Sequence, residues 1–356
     1  MSGKTSKRDA TGTSKRAKAA KIREIMEQEG AAIETNTQGF NDGRYESVAD
    51  LEDYQGLKDE ARAIKEDAID RLPELIEELR ESVEENGGTV YLAEDEAEAN
   101  EYIESVVADA DGELVAKSKS MTTEELEVNE HLEAAGVDVV ETDLGEWVLQ
   151  VAEEAPSHLV APAIHKSRDE IARLFEERFD PDVPLETAED LTKFAREQLA
   201  DDIANADVGM TGANFLTADS GTMALVTSEG NARKTVASTE THVAVAGVEK
   251  IIPSVEDLQP FVELIGRSGT GHDITSYVSL LTPPIDAPTF DGDAFGDPDD
   301  REFHLVLVDN GRMAMREDDD LEETLYCIRC SACANSCANF QQVGGHAFGG
   351  ETYTGG

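Results

Sequence analysis

All four cysteines of the chain fall within eleven residues, in the sequence Cys327-Ile-Arg-Cys330-Ser-Ala-Cys333-Ala-Asn-Ser-Cys337. The gaps between them are two, two and three residues, a spacing with which clustered thiolates hold a cubic iron–sulfur cluster. Small residues between the cysteines let the backbone wrap tightly and direct its N–H groups toward the sulfurs. The run therefore predicts one [4Fe–4S] cluster with Cys327, Cys330, Cys333 and Cys337 as its ligands.

Two other interpretations of the cysteine run were weighed against the cluster. Four thiolates also suit tetrahedral zinc, although zinc sites usually consist of two separated Cys-x-x-Cys pairs. Buried structural thiols would not be expected to gather so closely by chance. The iron–sulfur interpretation is favoured, and zinc stays open as the chemical alternative.

The charge of the chain is strongly negative, with 77 Asp and Glu against 30 Lys and Arg and a formal net charge of −47. The acidic residues are spread along the chain rather than gathered in a tail, which predicts an acidic surface over the whole molecule. Such a surface stays hydrated at very high salt, so we expect a halophilic acidic protein. It also argues against nucleic-acid binding, which needs a basic surface.

The N-terminal segment, residues 1–45, begins with the only basic block and is expected to be a flexible tail. Contact of this block with an acidic membrane surface stays open. The sequence contains neither an apolar run of about 20 residues, as a membrane span needs, nor the apolar segment of a signal peptide. Clustered cysteines without dispersed pairs favour a reducing compartment, so a cytoplasmic location is expected.

The middle of the chain alternates short apolar runs with amphipathic helical patterns. Strands are predicted at 89–93, 113–117, 137–141, 158–162, 223–227, 242–247, 274–281 and 303–308, and residues 207–215 are predicted to be a short strand that runs into a glycine-bearing loop. Helices are predicted between most of them, one of which opens at a Thr122–Glu125 capping box. This alternation predicts an α/β fold, a parallel-rich sheet with helices on both faces. Ligands of such sheets bind beyond the carboxyl ends of the strands.

The polar residues that follow these strands are candidate substrate- or anion-binding residues. His165 and Lys166 form a local positive site that would suit a carboxylate such as lactate. The glycine-bearing turns contribute the remaining candidates, which are Asn214, Gly221, Thr222, Glu229 and Asn231. The same residue types also build plain structural turns, and the sequence alone does not separate the two interpretations.

Several motifs together resemble a known family. They include Ser120-Met-Thr-Thr-Glu-Glu125, His158-Leu-Val-Ala-Pro-Ala-Ile-His-Lys166, Thr211-Gly-Ala-Asn-Phe215, Val306-Leu-Val-Asp-Asn-Gly-Arg312, the cysteine run and Gly344-Gly-His-Ala347. In this order they resemble the lactate-utilisation iron–sulfur proteins. The resemblance implies a LUD domain, related to the ribose-phosphate isomerase and CoA-transferase group, over residues 46–312. It also implies a ferredoxin-like iron–sulfur segment over residues 313–356.

The resemblance implies a role as the electron-transfer subunit of a complex that oxidises L-lactate to pyruvate, rather than an enzyme by itself. It implies two partner subunits, one of them cysteine-rich and the other a second LUD protein. The chain departs from the family pattern in two places. Ala338 follows Cys337 where the family has proline, and the second cysteine run of the family is not present. Cys337 therefore closes a single cluster here or belongs to a second cluster that would need other residues.

Two further functions are weighed against electron transfer. The LUD domain could bind a small carboxylate or phosphate, with the metal cluster acting as a structural clip or a redox sensor. The fold analogy would also allow an acyl- or CoA-transferase, for which no residue of this chain gives specific support. The catalytic residues stay unassigned at this stage.

Overall fold

The computed structural model of the protein describes residues 15–283 and 301–347. Its centre is a six-stranded, wholly parallel sheet in the order β1-β10-β7-β4-β2-β3. The strands are β1 (Thr89–Ala93), β2 (Leu114–Lys117), β3 (Asp138–Glu141), β4 (Val208–Gly212), β7 (Thr241–Gly247) and β10 (Glu302–Val308). The predicted α/β class and parallel sheet are confirmed.

Helices cover both faces of this sheet, as the alternation of buried side chains requires. On β7, Val243 packs with α5 (Glu96–Asp109) and α7 (Val128–Ala135) on one face, whereas Ala244 packs with α4 (Leu72–Glu85) on the other. Because successive side chains of a strand point to opposite faces, one strand can serve both cores. The helices from α3 to α11 are α3 (Tyr54–Asp70), α4 (Leu72–Glu85), α5 (Glu96–Asp109), α6 (Met121–Glu125), α7 (Val128–Ala135), α8 (Leu144–Ala152), α9 (Arg168–Phe179), α10 (Ala188–Asn205) and α11 (Asn231–Ser238).

A second, smaller sheet was not anticipated as a separate unit. It has the order β8-β5-β6-β9, and its strands are β5 (Phe215–Thr217), β6 (Thr222–Thr227), β8 (Ile251–Ile252) and β9 (Tyr277–Leu281). Leu216 and Met223 pack toward α4, and Phe215 stacks on Phe261 of α12 (Gln259–Thr270). The small sheet therefore lies between two helical layers and extends the core beyond the main sheet.

The expectation of a flexible tail is wrong for residues 15–45. These residues form α1 (Lys15–Gln28) and most of α2 (Gly30–Ala49), whereas residues 1–14 lie outside the described part. Ile33 is fully buried, and Asn36 donates to the carbonyl of Ile164 at 2.9 Å. The few apolar side chains of this mostly polar segment are thus buried against the rest of the protein. The composition of the segment did not indicate this burial.

Two local predictions need correction. Residues 158–162 form turns instead of a strand, because His158 Nδ1 accepts hydrogen bonds from the N–H groups of Val160 and Ala161. The helix predicted to open at the Thr122–Glu125 box begins earlier, with Ser120 as its N-cap, and is interrupted before α7. The predicted loop at 283–300 lies, apart from Pro283, outside the described residues.

Between β10 and residue 347, the last described residue, the chain forms short elements. They are α13 (Arg312–Arg316), a 3-10 turn (Glu322–Tyr326), α14 (Ala332–Ser336), α15 (Phe340–Val343) and a 3-10 turn (Gly345–Ala347). Across the described residues, no helix combines the length and the apolar character that a membrane crossing demands.

Candidate functional site

A cavity of about 700 Å³ lies beyond the carboxyl ends of β2, β3, β4 and β7. Lys119 follows β2, Asp143 follows β3, Asn214 follows β4 and Lys250 follows β7, and all four residues line the cavity. This is the edge of a parallel sheet where a ligand site was expected. A cavity of this size, with apolar walls and a few polar groups, has the character of a small-molecule site.

One part of the cavity wall carries three carboxyl groups, those of the buried Glu146, the half-buried Asp143 and the more exposed Glu229. Lys119 Nζ lies 2.7 Å from Glu146 Oε1, and Asp143 Oδ2 accepts from the Lys119 N–H and from Asn231 Nδ2, each at 2.7 Å. Burial raises the pKa of Glu146 to about 7 and also raises the pKa values of Asp143 and Glu229. We call the three carboxyl residues Asp143, Glu146 and Glu229, together with their partner Lys119, the acidic group.

Another part of the wall carries cations. Lys250, at the end of a 3-10 turn (Val248–Lys250), is 8% exposed, and burial lowers the pKa of its amine to about 8. Arg329 lies between two of the cysteines and also lines the cavity. We call Lys250 and Arg329 the cationic pair.

The cationic pair lies beside a buried carboxylate, that of Glu249. Arg312 Nε lies 2.6 Å from Glu249 Oε2, Arg329 Nη2 lies 3.7 Å from Oε1, and Lys65 Nζ donates to the Glu249 carbonyl. Burial by itself would raise the pKa of Glu249, but Lys250, Arg312 and Arg329 hold that pKa below its usual value. Glu249 is therefore ionised and anchors the cations beside the cavity.

The cysteine run enters directly from the 3-10 turn at 322–326. Arg329 and Ser331 have left-handed φ values of 58° and 68°, so the backbone turns sharply on both sides of Cys330. The Arg329 N–H points to Cys327 Sγ at 3.4 Å. Because Ile328 and Arg329 line the cavity, the cysteine run forms part of the cavity wall.

The cysteines offer a donor set whose chemistry fits an iron–sulfur cluster. All four are free thiols, and burial raises the pKa of Cys330 and of Cys333. Within residues 15–283 and 301–347, no three Cys, His, Asp or Glu side chains converge as a metal-binding group. Cluster binding would release the protons of these thiols, because the ligands of the cluster are thiolates.

The cysteine run is fixed to the domain through Asn335, which lies between Cys333 and Cys337. Asn335 is fully buried and donates through Nδ2 to the Gly269 carbonyl at 2.9 Å. Its Oδ1 lies 2.8 Å from His158 Nε2, and its backbone carbonyl accepts from Gln341 Nε2 at 2.7 Å. The helix α2 packs on the other side, where Asn41 Oδ1 accepts from Ser336.

The structure brings only part of the predicted binding residues to the cavity. Asn214 and Glu229 line it, and Asn231 lies behind Asp143. Asn214 Oδ1 accepts from the Val226 N–H at 2.8 Å, so part of its role is structural. The remaining predicted residues lie elsewhere.

His165 and Lys166 belong to a separate cluster outside the cavity lining. His165 Nε2 lies 2.9 Å from Glu154 Oε2, and Lys166 Nζ lies 2.7 Å from Glu154 Oε1. His165 also contacts Ser157 Oγ through Nδ1 at 2.6 Å, and burial lowers the pKa of His165. The positive site expected here is balanced by Glu154.

Gly221 and Thr222 lie at the opposite end of β6 from the cavity. Gly221 has a φ of 64°, and a Cβ atom added there would stand 2.8 Å from the Val83 nitrogen. Thr222 exchanges a hydrogen bond with Thr282 at 2.8 Å. Both residues therefore serve a structural turn against α4.

Sequence reasoning missed Lys250, Asp143 and Glu146 as cavity residues. Lys250 sits inside the apolar run 243–252, and the charged Glu249-Lys250 pair within that run was the available signal. Asp143 and Glu146 follow a predicted strand, the place where functional residues of such sheets gather.

The chain is similar in sequence to one family model and to several curated proteins. Residues 76–308 match the family model described as the LUD domain. Lactate utilization protein B of Oceanobacillus iheyensis is 41% identical over 309 residues, covering 87% of this chain and 63% of that protein. The protein of Escherichia coli named uncharacterized electron transport protein YkgF is 39% identical over 318 residues, covering 89% of this chain and 65% of its own length.

The chain thus spans a little under two thirds of the length of these curated relatives. A crystal structure of a DUF162 family protein from Deinococcus radiodurans matches 67% of this chain and 98% of its own, with 13% identity and a TM-score of 0.37.

Proposed function

The chain belongs to the LUD domain family, and we propose that it is the iron–sulfur electron-transfer subunit of a complex that oxidises L-lactate to pyruvate. Two relatives carry the names lactate utilization protein B and electron transport protein, which agree with this role. In the proposed division, residues 46–312 form the LUD domain and residues 313–356 form the iron–sulfur segment. The four cysteines, Cys327, Cys330, Cys333 and Cys337, would hold the cluster.

One structural observation carries the proposal, which is that the cysteine run forms part of the cavity wall. Ile328 and Arg329 line the cavity and stand between Cys327 and Cys330. A cluster held by these cysteines would lie beside whatever the cavity binds. Electron transfer between the two would then cross only the side chains of one short segment.

Electron balance argues for partner subunits. Oxidation of lactate to pyruvate releases two electrons and two protons, whereas a [4Fe–4S] cluster accepts electrons singly. The second electron and the onward transfer need further redox centres, so we propose a cysteine-rich partner and a second LUD protein. A cluster of reduced thiolates also needs a reducing compartment, and the proposal therefore places the complex in the cytoplasm.

Lactate-dependent reduction of the native complex tests the proposal. The chain is isolated without oxygen and in high salt, together with the subunits that copurify from its host grown on L-lactate. Added L-lactate should bleach the visible iron–sulfur absorption, D-lactate should bleach it less, and Cys330→Ser should abolish the change. Bleaching by dithionite but not by L-lactate would contradict lactate oxidation and leave a LUD module with a redox-sensing cluster. Isolation of a colourless protein that contains zinc would contradict electron transfer, and the metal site would then be interpreted as a structural clip.

A further inference from the structure

Lys250 lines the cavity, and none of the residues that the structure describes pairs with its amine. The residue is 92% buried, and within the described residues its Nζ makes neither a hydrogen bond nor an ion pair. A buried cation without hydrogen-bond partners is costly unless something else satisfies it. An anion in the cavity would supply the missing acceptors.

Arg329 presents a second cation to the same space. Its Nη2 lies 3.7 Å from Glu249 Oε1, which is an ion-pair contact longer than a hydrogen bond. The guanidinium has five donors, and no described residue accepts a hydrogen bond from them, so they are available to a ligand. Its planar fork matches the two oxygens of a carboxylate.

The local charge here is opposite to the charge of the chain as a whole. Four cations, Lys65, Lys250, Arg312 and Arg329, lie around Glu249, and among the described residues one further carboxylate pairs with them, Glu125, 2.7 Å from Arg312 Nη2. Before the charge of a cluster on the cysteines is counted, the described side chains around Glu249 thus give four positive groups against two carboxylates, in a chain of net charge −47. Positive walls of low dielectric attract and retain anions.

The acidic group fixes which way a carboxylate would enter. Asp143, Glu146 and Glu229 influence one another electrostatically, and the single cation Lys119 offsets them only in part, so they disfavour a ligand carboxylate at their part of the wall. Apolar side chains, among them Ile265, Ile274 and Leu159, supply the surface for the rest of the ligand. The anionic group of the ligand is therefore directed to the cationic pair.

We propose that Lys250 and Arg329 bind the carboxylate of a small 2-hydroxy or 2-oxo carboxylic acid at the end of the cavity that adjoins the cysteine run. This assignment deepens the proposed function and rests on it for the class of acid. It gives Arg329 two neighbours at once, the ligand carboxylate and the cysteines on either side of it. The cavity of about 700 Å³ also leaves room for acids longer than lactate.

Calorimetric titration with pyruvate tests the assignment, because pyruvate cannot donate the electrons of lactate. The protein carries its cluster, and the chloride concentration is held fixed because chloride competes for the same cations. Lys250→Met and Arg329→Gln should each weaken pyruvate binding roughly ten- to hundredfold, the loss expected for a charge-assisted hydrogen bond. Lys250→Arg should restore part of the affinity. Lys234→Met removes the same charge from an exposed lysine outside the cavity lining and should change nothing.

The outcomes separate this inference from the proposed function. Pyruvate affinity equal in Lys250→Met and wild type, or no binding by wild type, overturns the inference while leaving electron transfer to its own test. Lys250-dependent binding by a chain without a redox-active cluster upholds the inference and removes the proposed function. Iron content and circular dichroism, measured on each variant, identify any loss of binding that comes from misfolding. A variant that fails them is replaced by Lys250→Gln, for which retained wild-type affinity overturns the inference.

Discussion

His158 Nε2 donates a hydrogen bond to Asn335 Oδ1 over 2.8 Å, joining the LUD domain to the middle of the cysteine run. The direction follows from the other ring nitrogen, because His158 Nδ1 accepts from two backbone N–H groups at 3.1 Å and carries no proton. The imidazole is therefore neutral and in a single tautomer. This one contact orients residues on both sides of the cysteines.

Asn335→Ala should loosen the cysteine run. The change removes the acceptor of His158 and the donor to the Gly269 carbonyl, both of which are buried. Left unsatisfied, these groups should lower the free energy of unfolding by about 2–4 kcal/mol. Iron should also be lost faster to a chelator. Asn339→Ala, at an exposed residue whose side chain caps nothing, is the matched control and should retain iron as wild type does. Equal retention in both variants would contradict the role of Asn335.

Acid should destabilise the protein partly through His158. Burial lowers the pKa of His158 to about 4, below the value of about 6.5 in an unfolded chain. The unfolded state therefore takes up the proton first, and the contribution of His158 is complete above pH 6.5 and is lost as pH falls toward 4. At about 1.4 kcal/mol per pH unit, wild type should lose about 2 kcal/mol more than His158→Gln between pH 6.5 and pH 5. Denaturant unfolding at the two pH values measures this, and parallel losses in both proteins would refute it.

Glu249→Gln should destabilise the protein strongly. The carboxylate holds Arg312 at 2.6 Å among further buried cations, and its removal leaves those charges uncompensated. A loss of about 3–5 kcal/mol in the free energy of unfolding is expected. Glu323→Gln breaks the exposed Arg62–Glu323 pair instead and should cost less than about 1 kcal/mol. Similar losses in the two variants would show that burial of Glu249 is not what matters.

Gly221→Ala should affect stability without affecting the site. The new Cβ would stand 2.8 Å from the Val83 nitrogen, at a residue whose φ is 64°. Strain of this kind should cost about 1–3 kcal/mol in unfolding free energy. Gly230→Ala, at a φ of −94° with only the tip of Arg233 nearby, should be tolerated. Weaker pyruvate binding in folded Gly221→Ala would restore Gly221 as a ligand residue.

The sequence allowed the parallel sheet to be predicted because its signals are local. The strands that begin at Thr89, Val208 and Glu302 consist mainly of apolar runs whose neighbours are turns and amphipathic helices. The strand expected at His158 was wrong for an equally local reason, since the histidine ring takes the backbone N–H groups that a strand would pair. A local sequence pattern indicates the propensity to form a strand, but it does not show that a side chain will compete for the backbone N–H groups.

The site depended on contacts between distant residues and was predicted only in part. The cysteine run is contiguous, so its candidate ligands could be read directly. Lys250 and Arg329 lie 79 residues apart and meet only through the fold around Glu249. Similarly, the burial of Ile33 in α2 depends on residues far along the sequence. One of them is Gly344, where an added Cβ atom would lie only 3.1 Å from the Ile33 side chain. Neither of these two contacts can be predicted from the composition or the periodicity of the sequence.

The central claim is that Cys327, Cys330, Cys333 and Cys337 hold a redox-active cluster. Iron and acid-labile sulfide per chain, measured on protein prepared without oxygen in high salt, test this most directly when combined with an electron paramagnetic resonance spectrum after reduction. The account predicts about four irons and four sulfides per chain and the signal of a reduced [4Fe–4S] cluster, all lost in Cys330→Ser. Stoichiometric zinc without sulfide, and no signal after reduction, would contradict it.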